Sequence, residues 1–379
     1  MAFDMKTAGQ ETVKPEGRHA IDETALTHFL ARELPGFEGQ VSVTKFGYGQ
    51  SNPTYLLETT AGKQYVLRKR PPGKLIKSAH AVDREYRIMR ALGTVGFQVP
   101  RVHLLCEDEA VLGTSFYVMD FVRGPIVDNA LLQAIPEERR GIMMSIVRTL
   151  ARLHSYDPAA LGLLQAGSAY GRLGGFYERQ IATMSRTSDA QVAGSAGMVP
   201  PMRSFRPLLD MFRAHMPEDK SCIIHGDWKP DNMILSQDPG PKEVVAVLDW
   251  ELSTIGHPMS DLANLCLAYH MPAGNPVGYP AFDTSPGSGI PAEDEVHRAY
   301  CEAAGVTYPI VDWSFFVAFA CLRLSVIAQG VAMRVAKGQS SALGAASEEV
   351  VRKVVAAAEF MCDLGFDIMR KARGESSKL

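Results

Sequence analysis

The run Ile223-Ile224-His225-Gly226-Asp227-Trp228-Lys229-Pro230-Asp231-Asn232-Met233-Ile234-Leu235 constrains this chain more than any other stretch. It reads as two short apolar strands joined by a polar loop, with an Asp and an Asn five residues apart within that loop. A second apolar run ends in Val247-Leu248-Asp249-Trp250, leaving one carboxylate where Val and Leu stop. A carboxylate in that setting calls for a cation. Phosphoryl transfer needs these residue types, because its catalysis is positioning and charge neutralisation rather than covalent chemistry. Asp227 is placed to orient an attacking hydroxyl and accept its proton. Asn232 and Asp249 offer the hard oxygen ligands that Mg²⁺ prefers. Lys229, two residues after Asp227, reaches toward a transferred phosphate as a point charge. His225 completes the catalytic group and reads as a brace for the loop through a backbone hydrogen bond.

His-x-Asp-x-x-x-x-Asn followed by a strand-ending Asp resembles the kinase catalytic pattern. Its His-Gly-Asp form is similar to the aminoglycoside phosphotransferase and choline kinase superfamily. Asp249-Trp250-Glu251 stands where protein kinases carry Asp-Phe-Gly, and Gly256-His257-Pro258-Met259-Ser260-Asp261-Leu262-Ala263 resembles that superfamily's next motif. The resemblance implies that Asp261 supports the catalytic loop. It also implies an α+β, protein-kinase-like two-lobed fold with a small antiparallel-sheet N-lobe and a larger, mainly helical C-lobe. ATP and Mg²⁺ are the implied cofactors, and a small hydroxylated molecule the acceptor. A protein kinase fits less well, because 11 residues between Asp249 and Asp261 leave no long activation segment and no Ala-Pro-Glu motif.

The chain supplies the other parts of such a site upstream and in order. Val41 to Phe46 and Thr54 to Thr59 are β-rich runs around a small-residue tip, a hairpin whose Gly47, Gly49, Gln50, Ser51 and Asn52 are candidates to lie over phosphates. The strand Gln64 to Lys69 turns basic at its end, and alternation puts Val66 and Arg68 on one face. The kinase lysine falls at Arg68, a departure from the protein-kinase pattern. Arg still neutralises phosphates bidentately, and Lys69 competes if the register slips by one. From Ser78 to Leu92, Val82, Glu85, Met89 and Leu92 share one helical face, so Glu85 points inward and wants a cation, for which Arg68 is the partner. Phe116 to Met119 reads as a buried strand running into a hinge, where the resemblance implies that backbone groups near Asp120 and Val122 hold adenine.

At 379 residues the chain is long for one domain. The expected division is an ATP-binding lobe over 1–119, with 1–18 a loose tail, a hinge over 120–124 and a catalytic and substrate-binding lobe over 125–379. A net charge of −3 gives no argument for nucleic acid or anionic membrane partners. Six cysteines scattered without close pairs argue against a zinc or disulfide framework and for a reducing, cytoplasmic setting. Trp313 to Met333 is apolar enough to raise the membrane question, but Arg323 and Gln329 interrupt it and favour a buried helix. Gly141 to His154 reads as a scaffold helix, while Tyr170 to Met202, with Tyr177, and the Gly- and Pro-rich Met271 to Pro291 are candidate substrate walls. Arg323, Arg334 and Lys337 share a face if their helix continues through Gly330, and such a stripe favours an anionic acceptor.

Gly49 to Tyr55, Arg70 to Lys74 and Ser78 to Tyr86 resemble the kinase-like N-terminal domain of acyl-CoA dehydrogenase family members 10 and 11. That resemblance implies phosphorylation of a small hydroxylated metabolite such as a hydroxyacyl-CoA, and a link to acyl-CoA metabolism. The alternatives are an aminoglycoside- or choline-type kinase and a nucleotide-binding regulatory module without catalysis.

Overall fold

The computed structural model describes residues 10, 12–17, 20–47, 52–71, 82–126, 135–165, 170–237, 240–339 and 348–374. Contacts group the chain into two compact units, Met1–Tyr170 with His225–Thr254, and Gly171–Ile224 with Ile255–Leu379. This grouping keeps the six-stranded sheet and the loops carrying Asp227 and Asp249 in one unit, and its bounds differ from the lobe boundary expected at residues 120–124.

In the first unit the described strands β1 (Thr12–Val13), β2 (Val41–Phe46), β3 (Thr54–Thr59), β4 (Gln64–Lys69), β5 (Val102–Cys106) and β6 (Phe116–Asp120) form an antiparallel sheet in the order β1-β2-β3-β4-β6-β5. The expected hairpin is β2 and β3, with Lys45 opposite Tyr55 at its tip end. Residues 12 and 13, expected in a loose tail, instead pair with Phe46 and Lys45 as a short edge strand. The backbone groups along the outer side of β2 supply partners that a polar tail sequence does not reveal.

Helix α1 (Glu23–Glu33) starts at Asp22, whose carboxylate accepts the Ala25 N–H at 2.9 Å. Its Leu26 and Leu30 pack with Val43, Leu57, Leu67 and Phe116 over one face of the sheet. Helix α2 (Val82–Thr94) buries Val82, Glu85, Ile88, Met89 and Leu92, the stripe read from its sequence, and packs against β5, β6 and the turn Trp250–Leu252. A single turn, α3 (Glu109–Leu112), precedes β6. Helix α4 (Pro136–His154) opens with a Pro in its first turn and buries Ile142, Ile146, Leu150 and Leu153, as a scaffold helix should. Strand β7 (Cys222–Ile224) leads into the catalytic loop, and β8 (Met233–Leu235) leaves it to pair with β9 (Val244–Val247), placing Met233 opposite Val247. Strand β10 (Thr254–Gly256) follows.

Beside the paired strands β7 and β10, the second unit is helical: α5 (Phe176–Ala193), α6 (Phe205–Ala214), α7 (Met259–His270), α8 (Glu293–Ala304), α9 (Trp313–Ala336) and α10 (Glu348–Ala372). The apolar α9 is packed by α5, α7 and α10, and its long hydrophobic run is mostly inside the protein. It continues through Gly330, where a Cβ would come within 2.6 Å of the Gln191 amide on α5. Glycine there leaves room for the end of the Gln191 side chain at the cost of helix propensity. Much of the candidate wall over Tyr170 to Met202 is the helix α5, whereas the Gly- and Pro-rich stretch from Met271 to Pro291 has no helix or strand.

Candidate active site

Arg68 organises the site. Its Nε lies 2.9 Å from Glu85 Oε2, its Nη2 2.5 Å from Asp249 Oδ1 and 3.9 Å from Glu251 Oε2. Strand alternation in β4 turns Arg68 to these carboxylates and Lys69 to the other face, which removes the one-residue ambiguity. Glu85 comes from the buried stripe of α2, and the Tyr117 hydroxyl donates to it at 3.4 Å. Burial, together with the charges of Asp249 and Glu251, raises the Glu85 carboxyl from its ordinary 4.5 to about 7 against the opposing pull of Arg68. Burial opposes the charge on Arg68, but the surrounding carboxylates outweigh it and hold the guanidinium protonated.

The loop from His225 to Asn232 is built around the His225 ring. The imidazole is 0 % exposed and packs edge-on against Trp228 and Trp250. Its Nε2 lies 2.9 Å from the Leu248 carbonyl, and its Nδ1 accepts the Asp227 N–H at 3.2 Å. His225 therefore ties the two loops together and sets the Asp227 backbone. It does not reach the cleft, so its place is that of a positioning residue beside Asp227 and Lys229. Gly226 carries φ +85° with the Leu252 carbonyl 2.5 Å from where a Cβ would stand, so both conformation and space demand glycine. Asp227 Oδ2 lies 3.1 Å from Lys229 Nζ and accepts the Asn232 amide at 3.1 Å. Burial lowers the Lys229 pKa, but the charges of Asp227 and Asp231 outweigh it and the ammonium is held charged above its ordinary range.

Asn232 spends its NH₂ group on the Asp227 carbonyl and carboxylate. The oxygen of its amide is thus the atom suited to a cation. Asp249 has φ +62°, a strained backbone for a residue with a side chain, and is a third exposed on its side chain while the next residue, Trp250, is buried and donates to the Val247 carbonyl at 3.0 Å. Asn232 and Asp249 line the same cleft, and their amide and carboxylate oxygens fit Mg²⁺.

That cleft holds about 250 Å³ of space. Phe46, Val66, Met89, Met119, Ile234 and Leu248 give it apolar walls, while Arg68, Lys229, Asn232 and Asp249 give it a polar end. Asp120 and Val122 stand at its rim. The Asp120 N–H is committed to the Arg101 carbonyl at 2.8 Å and its carboxylate to His103 at 2.6 Å. The Val122 carbonyl accepts the Gln10 side chain at 3.0 Å, a cleft residue that no local pattern in the sequence signals.

Of the hairpin tip, Gly49, Gln50 and Ser51 lie outside the described residues. Gly47 is exposed with open space around it, whereas Asn52 is buried and donates to Glu251 at 3.4 Å. Asn52 thus fastens the base of the tip instead of covering phosphates.

The substrate candidates belong to the second unit. Tyr177 is 3 % exposed, ringed by Phe176, His257, Phe315, Phe316 and Phe319, with its hydroxyl buried and unbonded. It is a core residue and not a substrate wall, because the apolar face of α5 turns it inward. Arg323 is half-buried and Arg334 exposed on one continuous helix. Asp261 is buried in the first turn of α7.

The chain is 39 % identical to the acyl-CoA dehydrogenase family member 11 of Rattus norvegicus over 88 % of its own length and 42 % of that protein's. It is 37 % identical to the mouse family member 10, over 93 % of this chain and 31 % of that one. The chain thus spans less than half of these relatives. A Ralstonia eutropha structure named for the aminoglycoside phosphotransferases superposes with a TM-score of 0.78 at 33 % identity, covering 93 % of this chain and 99 % of its own. A choline kinase from Cryptosporidium parvum shares the fold at TM-score 0.56 and 12 % identity, covering 93 % of this chain and 96 % of its own. The kinase-like α+β fold is therefore established, and with the phosphotransferase enzyme family matching residues 42–309, the chain belongs to that family.

Proposed function

We propose that this chain transfers the γ-phosphate of ATP to a hydroxyl of a small molecule, with a hydroxyacyl-CoA or related metabolite as the acceptor. The observation that carries the proposal is the convergence of Arg68, Lys229, Asn232 and Asp249 from three segments on one cleft, with Asp227 held against Lys229 and Asn232. The apolar walls suit a purine ring, with backbone groups of Asp120 and Val122 at its edge. Arg68, fixed by Glu85, presents its remaining donors to phosphate oxygens. Asp227, held by Lys229 and Asn232, orients the acceptor hydroxyl and takes its proton late in a loose transition state. Lys229 balances the charge of the transferred phosphoryl group. Asn232 and Asp249 are the residues to hold Mg²⁺, which when bound neutralises phosphate charge.

The names of the relatives support an acyl-CoA-linked acceptor. Arg323 and Arg334 are proposed as cationic contacts for an anionic acceptor. Six buried thiols, none of them bridged, support a cytoplasmic setting. A second reading, a nucleotide-binding module without transfer, draws on the direct 2.5 Å pairing of Arg68 with Asp249, which already neutralises the carboxylate a metal needs.

ADP release from Mg-ATP, measured against hydroxyacyl-CoAs, free hydroxy acids, aminoglycosides, choline and sugars, separates these readings. Acceptor-dependent turnover with a hydroxyacyl-CoA, lost in Asp227→Ala, is the expected result. Turnover with aminoglycosides or choline alone overturns the acceptor. Tight ATP binding without turnover on any acceptor favours the module.

A further inference from the structure

Helices α7 and α8 each carry an i, i+4 pair of metal-ligating type, Cys266 with His270 and Glu293 with His297. The Cys266 Sγ, a Glu293 carboxylate oxygen and a His297 ring nitrogen all lie within 4.8 Å of one another. Cys266 is fully buried and His297 is 9 % exposed. The His297 Nε2 is buried without a hydrogen-bond partner and stands 3.8 Å from Glu293 Oε1, beyond hydrogen-bond range. A buried ring nitrogen left this way has given up water for nothing unless something occupies its lone pair. Glu293 is meanwhile held from the other side: Trp313 Nε1 donates to its Oε1 at 3.0 Å and His270 Nε2 lies 2.8 Å from the same oxygen. Oε2 is the carboxylate atom not engaged by these two groups. Carboxylates and ring nitrogens fixed by such outer partners are a regular feature of metal sites.

We propose that Cys266, Glu293 and His297 bind a zinc-class divalent cation, with His270 and Trp313 orienting the carboxylate. One thiolate, one carboxylate and one neutral imidazole balance a 2+ ion, so the buried site carries no net charge. The thiolate selects a borderline-soft ion, which sets this site apart from the hard-oxygen pair Asn232 and Asp249. Tetrahedral ligand edges run about 3.4 to 3.8 Å, so no pair of these ligand atoms has to close by more than about 1.4 Å on binding. One proton leaves, from the Cys266 thiol to solvent. Cysteines counted only against other cysteines do not reveal such a mixed set, because Cys266 stands 27 residues before Glu293 in the chain and only folding brings their helices together.

The test uses the full chain, first for zinc content after purification without chelator, then as the chelated protein titrated with Co²⁺. A thiolate-to-cobalt charge-transfer band separates this site from the cleft, since no cysteine lines that cleft among its described residues, and the Cys266→Ser variant separates it from the other five cysteines. The expected result is about one metal per chain with that band, its loss in Cys266→Ser and His297→Gln, and roughly 10- to 100-fold weaker cobalt binding in Trp313→Phe. Circular dichroism of each variant confirms that it is folded. Absence of the thiolate band in folded wild-type protein overturns the site, as does full retention of the band in folded Cys266→Ser. Neither result depends on phosphotransferase activity.

Discussion

Arg68→Met isolates the buried charges beneath the cleft. Glu85 is 1 % exposed, and Arg68 is the cation 2.9 Å from it. With its carboxyl raised from 4.5 to about 7, the folded chain keeps a proton that the unfolded chain has released, so this group's stabilising contribution is full below 4.5 and is lost as pH rises through 7. Each unit of pH with one proton of difference is worth about 1.4 kcal/mol. From about pH 6 to about pH 8 the wild-type group titrates midway and loses about 1.4 kcal/mol. Removing the guanidinium raises the carboxyl further, so the variant holds its proton across that range and loses about 2.7 kcal/mol. Asp249 loses the same partner, but its exposed third lets water screen it and adds little. Urea melts of wild type, Arg68→Met and Arg68→Met/Glu85→Gln at both pH values measure this. The double variant should lose the steep dependence and recover stability at the higher pH. Parallel pH curves for the single and double variants would refute a buried, proton-holding Glu85.

Asp227→Ala should cut turnover about 10²- to 10⁴-fold while ATP affinity stays within a few-fold, and unchanged kcat would remove Asp227 from the base role. Gly226→Ala forces a Cβ against the Leu252 carbonyl at positive φ and should cost about 1 to 3 kcal/mol in a urea melt; a neutral substitution would mean the loop relaxes freely. Tyr177→Phe deletes a buried, unbonded hydroxyl and should be neutral or stabilising by about 1 kcal/mol, with acceptor KM unchanged. A KM shift for one acceptor alone would return Tyr177 to the substrate wall.

Local sequence determined whatever depends on neighbours in the chain. The His225-to-Asn232 loop, the β2–β3 hairpin and the inward Glu85 on α2 all follow from short-range periodicity and turn chemistry, and the structure places each where its pattern pointed. Strand alternation put Val66 and Arg68 on one face but left Lys69 in play, and only pairing with β3 and β6 fixed the register. Tertiary structure decided the rest. Gln10 in the cleft, Asn52 fastened to Glu251 and Tyr177 inside an aromatic core are contacts between segments far apart in sequence, invisible to any window along the chain. The grouping of Cys266, Glu293 and His297 is of the same kind. Periodicity says which face of a helix turns inward, and only packing says what that face meets.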